Sequence, residues 1–505
     1  MNASKQSIAQ HVANCYVGDK SACRALGIDD TRWQTRYEQA AVRMAGVLVV
    51  DVQTGDIEAA GSAHTKCFSQ EYDGPGRDVD CLPLPIDPRS RPYALENHAL
   101  YTSYMPGSLV KPILAIGLLT DPKLSARLHG VERNQFLNEI RRSNTPAFLD
   151  RLFCKDKGFK DCLRPGYAFD AATALGWNGN CGDGSDKECA RIGRFTGADD
   201  ESFKFFTGMM GIEYDARSGS YRRQDLSFDA ETAKECSMRP GDLAWRRCKG
   251  TGKDDHLLEL ESEAWGQGSA QATPVGIATM LSRLGATANQ RSGTILVTAP
   301  HLFQSAVITR EGKPTVMPVK PVTTEIQLNS RDAELVLAGM AQSHLPQQGA
   351  LGPGTASSAC VQVYGSASVC TALTHVAGKT GTPPFTHDRF TVATRLEACN
   401  KIREGLTKVK NGRWSSLQAQ WVDCQHRPIK WYAALLKDPN ASAGPWTKAI
   451  VVIVERNWGL NGVIDSPGDI GPNTAAELAF QVIKRITPTK SSSTVLGLTA
   501  VTVKK

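Results

Sequence analysis

"HVAGKTGTPPF", residues 375–385, is the stretch that decides how this chain is read. Gly378-Lys379-Thr380 is how a phosphate-binding loop ends. Such a loop requires G-x-x-x-x-G-K-[ST], in which the first glycine permits the tight turn over the phosphates. Five residues before Gly378 stands Leu373, so that glycine is missing. Pro383 and Pro384 also stand in the way of the helix that would aim its positive end at a phosphate. Lys379 therefore needs a different chemical partner, and the rest of the chain must supply it.

The chain has 505 residues, 41% hydrophobic, 22% charged and 7% aromatic, the make-up of a soluble globular protein with a large core. Its 58 basic and 51 acidic residues leave a net charge of +7. No long basic run is interleaved with aromatics, so nucleic acid is not an expected partner. The 14 cysteines fall into seven neighbour pairs: Cys15/Cys23, Cys67/Cys81, Cys154/Cys162, Cys181/Cys189, Cys236/Cys248, Cys360/Cys370 and Cys399/Cys424. No C-x-x-C occurs, which counts against zinc ribbons and thioredoxin-like redox sites. An even count in local pairs suggests loops stapled by disulfides and an oxidising compartment. The N-terminus "MNASKQSIAQHVANCYVG" has no apolar targeting core, and no stretch of 18 apolar residues occurs. Membrane attachment is expected only through an anchor outside this sequence.

"AGVLVVDVQTGDIEAAGSA" (45–63) places a turn between two apolar runs and predicts a hairpin. "PGSLVKPILAIGLL" (106–119) reads as a breaker followed by an apolar helix, and "ATPVGIATMLSRLGATA" (272–288) as a helix with 3- and 4-residue apolar steps. "IKWYAALL" (429–436) and "KAIVVIVE" (448–455) read as buried strands, and 472–486 as an amphipathic helix capped by Asn473 or Thr474. This order argues for an α+β architecture around an antiparallel sheet. Residues 1–44 are expected to be an N-terminal segment or linker, 45–487 the main domain and 488–505 a tail. Residues 150–255 read as a Cys-rich insertion and 386–428 as a second one.

"PGSLVKP" places Ser108 three residues before Lys111 at a helix start, so that both side chains share a face. A serine hydroxyl is a weak nucleophile and wants such a neighbouring base. Lysine can serve only if burial and nearby cations, such as Lys379, lower its pKa. Together with "VAGKTGT", this pair resembles the S-x-x-K and K-T-G elements of the transpeptidase domain of high-molecular-weight penicillin-binding proteins. "AWGQGSAQATPVGIATMLSRLGATAN" (264–289), "GTA" (354–356), "KWYAALL" and "AIVVIVERN" are similar to further segments of that family, in family order over about residues 45–487.

The resemblance implies a five-stranded antiparallel sheet flanked by helices with an all-helical subdomain. It implies Ser108 as nucleophile, Lys111 as general base and Lys379 as the source of positive potential. Thr380, Gly381 and Thr382 would line the substrate strand. For the family's middle motif, S-x-N, the best match is "RRSNTPAF": Asn144 falls on the asparagine, Arg142 where serine is expected, and Ser143 between them. Neither cofactor nor metal is implied. The implied activity is D,D-transpeptidation of peptidoglycan stem peptides in the periplasm or cell envelope, with β-lactams as ligands and a cell-wall synthesis complex as setting. The alternatives are a weakened β-lactam-binding sensor or scaffold, and a carboxypeptidase or β-lactamase type of hydrolase.

Overall fold

The structure, a computed structural model, describes residues 1–28, 42–64, 97–144 except 101 and 103, 165–176, 212–215, 220–223, 266, 272–290, 294–347 except 303, 304, 311, 312 and 319–321, 352–383, 429–441, 444–456 and 474–487. At its centre are five antiparallel strands: β1 (Val42–Asp51), β2 (Ile57–His64), β3 (Val376–Gly381), β4 (Ile429–Lys437) and β5 (Trp446–Arg456), in the order β2-β1-β5-β4-β3. Runs such as Ala433-Ala434-Leu435-Leu436 and Ile450-Val451-Val452-Ile453 are apolar at every position because the sheet is covered on both faces.

On the inner face, Met44, Leu48, Trp431, Ala433, Val451 and Ile453 pack with the helices Lys111–Thr120 (α3) and Pro274–Asn289 (α6). The Thr273 hydroxyl caps α6 by accepting the Gly276 N–H, and Gly285 lets that helix close on Leu435. Helices α4 (Gly130–Arg142), α5 (Pro165–Ala174) and α7 (Ser330–Met340) complete this helical layer. Ala171, Ala172 and Leu175 are buried in its core. Part of the stretch read as an insertion at 150–255 is thus central packing. Residues 386–428 and 488–505 lie outside the described residues, as does the Asn473 cap.

On the outer face, Val47, Val49, Tyr432, Ala434, Val452 and Val454 pack under α1 (Ala3–Tyr16), α8 (Ser357–Tyr364) and α9 (Thr474–Ile486), with α2 (Lys20–Ala25) against α1. The sequence reading of residues 1–44 as a segment or linker is corrected here for its first part. Ala9, Val12, Ala13 and Tyr16, spaced as one helical face, are buried against the sheet. Gly61 permits that approach, since a Cβ there would lie 2.5 Å from the Ala9 carbonyl carbon. Two of the seven cysteine pairs lie among the described residues, Cys15–Cys23 and Cys360–Cys370, and both are disulfides on this outer side.

Candidate active site

Ser108 lies in a 3-10 turn, Gly107–Val110, that leads directly into α3. Lys111 opens the helix and Pro112 follows in its first turn, where a missing N–H costs nothing. Close backbone contacts hold this turn against the end of β3. A Cβ on Gly381 would lie 2.4 Å from the Pro106 carbonyl oxygen, and one on Gly107, at φ +56°, 2.8 Å from Pro383 N. Gly107 N–H also donates to the Gly266 carbonyl at 2.8 Å. On the far side, Trp431 Nε1 of β4 donates to the Met105 carbonyl at 2.9 Å. The glycines thus bring the Ser108 turn to within backbone contact of the strand carrying Lys379.

Lys111 and Lys379 are 1% and 0% exposed, an unusual state for two amines. Both reach Ser143. Lys111 Nζ donates to the Ser143 carbonyl at 2.8 Å and to its Oγ at 3.0 Å. Lys379 Nζ donates to the same Oγ at 2.7 Å and to the Thr380 carbonyl at 3.0 Å. Burial brings the Lys111 ammonium down to about 7, with the Glu139 carboxylate opposing part of the fall. Burial and then the Lys111 charge hold Lys379 well below the usual lysine range. One hydroxyl that can both donate and accept therefore joins two amines whose protonated forms burial disfavours.

Ser143 owes this position to the end of α4. Its N–H donates to the Ile140 carbonyl at 3.2 Å and the Asn144 N–H to the Glu139 carbonyl at 2.9 Å, a Schellman-type helix stop. That stop places Ser143 in the left-handed region, φ 51° and ψ 42°, where glycine is the usual residue. Among the described residues it is the only non-glycine with positive φ. Strain of this kind is held where a side chain is needed.

Ser143, not the position of Arg142, lies between the lysines. Arg142 is exposed and its guanidinium runs beside Gly352, while Asn144 is exposed one step beyond the bridge. The left-handed helix stop, which no sequence pattern marks, turns Ser143, the residue before that asparagine, inward.

Thr380, Gly381 and Thr382 sit at the end of β3, one of the two edge strands of the sheet among the described residues. Thr380 is buried and its hydroxyl donates to Thr355 Oγ1 at 2.8 Å, whereas Thr382 is exposed. Thr355, inside the quoted "GTA", and Glu139 were not singled out from the sequence. The first carried no role in the motif, and nothing in a helix pattern says that an acidic residue faces a buried lysine. Among the described residues no group of His, Cys, Asp and Glu is arranged to hold a metal ion.

No protein-family model matches the sequence, and no curated protein does. Solved structures do. One is penicillin-binding protein 3 of Mycobacterium tuberculosis in complex with aztreonam, at 13% identity and TM-score 0.39 over 95% of this chain and 74% of that one. Another is the transpeptidase domain of penicillin-binding protein 3 from Burkholderia pseudomallei, at 13% and 0.37 over 97% and 96%. A third is the transpeptidase domain of a D,D-transpeptidase from Legionella pneumophila, at 9% and 0.36 over 96% and 97%.

Proposed function

We propose that this chain is a serine acyltransferase of the penicillin-binding type, a D,D-transpeptidase that cross-links peptidoglycan stem peptides. The observation that carries the reading is the Ser143 hydroxyl shared by two buried lysines beside the Ser108 turn. Ser108 Oγ attacks the peptide carbonyl while Lys111, whose ammonium burial brings down to about 7, takes its proton. The oxyanion is held by backbone N–H groups of Ser108 and Thr382, a preorganised pair of the kind worth about 3 kcal/mol per donor. The proton passes through Ser143 Oγ to the leaving amine, with Lys379 stabilising the chain of donors. An acceptor amine then attacks the acyl-serine and regenerates the hydroxyl.

Among the described residues β3 is an edge strand, which suits an extended peptide because an edge offers unpaired backbone groups. Thr382 and the Thr380–Thr355 hydroxyl pair would take the terminal carboxylate, and Asn144 at the rim the donor's side-chain amide. A β-lactam would enter the same site as a cyclic mimic of that peptide. The disulfides support an oxidising setting, the periplasm or cell envelope, and a cell-wall synthesis complex is the matching partner. No helix among the described residues is long and apolar enough to cross a membrane.

An inert β-lactam-binding scaffold would not need a strained serine between two amines, so the Ser143 bridge favours turnover. The test is covalent labelling by a fluorescent penicillin, with Ser108→Ala as control. A stable adduct on Ser108, lost in the variant, supports the reading; rapid hydrolysis would point to a β-lactamase, and labelling elsewhere would overturn the site.

A further inference from the structure

Strand alternation separates two kinds of group on β3. Lys379 stands opposite Ala433 and shares the inner face, towards Ser143, whereas Thr380 stands opposite Tyr432 and faces the outer layer. There the Thr380 hydroxyl lies 2.8 Å from Thr355 Oγ1, and among the described residues each hydroxyl has the other as its partner. Thr380 is 5% exposed and Thr355 half-buried, two residues before α8. The loop that carries Thr355 is held on both sides of it. Gly354 N–H donates to the Leu345 carbonyl and Ala356 N–H to the Ser343 carbonyl, each at 2.9 Å. A Cβ on Gly354 would lie 2.1 Å from the Ser343 carbonyl oxygen, so only glycine lets the loop sit this close to the segment that follows α7. The Cys360–Cys370 disulfide ties α8 to the helix Ala367–Ala372, which leads into β3. Both backbones are thus set independently of the hydroxyl contact.

A hydroxyl has one proton to give and two lone pairs, whereas a carboxylate only accepts. Thr380 gives its proton to Thr355 in this structure. To hold a carboxylate beside β3 it must turn that proton outward, and its buried oxygen then needs a donor. Thr355 supplies one by reversing the bond. We infer that Thr355 is a positioning residue for a terminal carboxylate: its hydroxyl donates to Thr380 Oγ1 while Thr380 donates to the ligand. The inference deepens the acyl-transfer reading and rests on it for the place of the ligand. Hydroxyls in line polarise one another, and a bond to an anion is about twice as strong as one to a neutral acceptor. The relay therefore favours a free acid over its ester.

The experiment compares acylation by benzylpenicillin and by its methyl ester, read as the ratio of the two second-order rate constants. Thr355→Val keeps the shape and removes the hydroxyl, so the acid-to-ester ratio should fall about two- to tenfold, the scale of one hydrogen bond. Thr355→Ser should restore it. In a Thr380→Val background, Thr355→Val should lower the ratio no further, because Thr355 acts through Thr380. Equal falls for acid and ester would make Thr355 a packing residue and overturn the inference. A further fall in the Thr380→Val background would put Thr355 on the ligand itself and overturn it too. If the wild type is acylated by neither compound, the acyl-transfer reading falls, and equilibrium binding of the same two compounds still decides. A preference for the acid that Thr355→Val weakens upholds the inference; no such preference in the wild type refutes it.

Discussion

Ser143 allows backbone and chemistry to be separated in one pair of variants. Ser143→Ala and Ser143→Gly remove the same hydroxyl, and with it the same two hydrogen bonds from Lys111 and Lys379. Each amine keeps one carbonyl partner, Ser143 O for Lys111 and Thr380 O for Lys379. The loss to stability from the hydroxyl should therefore be about 1–3 kcal/mol in both. The variants differ in the backbone. At φ 51° and ψ 42° a Cβ crowds the following carbonyl at a cost of about 1–2 kcal/mol, and glycine has none. Glycine should be the more stable of the two by about 1 kcal/mol, read as about 1–2 °C in a thermal melt of a domain this large. Acylation should fall about a hundredfold or more in both, and equally, because proton transfer through a positioned group contributes on that scale. An alanine variant as stable as the glycine one would refute the left-handed helix stop. Wild-type acylation in either would remove the hydroxyl from the proton path.

Gly381→Ala should cost about 1–3 kcal/mol and at least tenfold in β-lactam labelling, because its Cβ would lie 2.4 Å from the Pro106 carbonyl and force the Ser108 turn off the strand; denaturant melts and labelling on one preparation check both. His344, fully buried beside Phe480, has its imidazolium pushed from 6.5 down to about 4 by burial. Its folded pKa is depressed, so its contribution to stability is whole above pH 6.5 and is lost as pH falls towards about 4. The loss runs at up to about 1.4 kcal/mol per pH unit, and urea melts at pH 7, 6 and 5 should show a flatter decline for His344→Phe.

The sheet was the most legible part of this molecule. The hairpin at 45–63 and the strands at 429–436 and 448–455 stood out because turn residues and unbroken apolar runs mark two-sided burial. The same runs imply an outer layer of helices, and only α9 was read for it. The face of α1 was written at Ala9, Val12, Ala13 and Tyr16, but alanines in a polar segment give a faint stripe. In the site, the spacing of Ser108 and Lys111 was visible because a helix start fixes it. The partner of both lysines was not, since its position depends on a left-handed residue that sequence preference assigns to glycine. Long-range pairs such as Thr355 with Thr380 depend on the register of elements far apart in the chain.

These features bear on how many protons the site holds. Two full ammonium charges sharing one hydroxyl would lie about 5 Å apart and repel by about 3 kcal/mol even at an effective dielectric near 20. Burial adds to the cost of each, so the doubly protonated cluster is disfavoured near neutral pH. A cluster with no proton would have no acid to offer the leaving amine. One proton for two amines is the state that satisfies both constraints. It is also the state that acyl transfer needs, because the attack on a carbonyl calls for a base and the departure of the amine calls for an acid. A single proton shared by Lys111 and Lys379 across Ser143 leaves one amine free as base and one charged as acid, without exchange with bulk water.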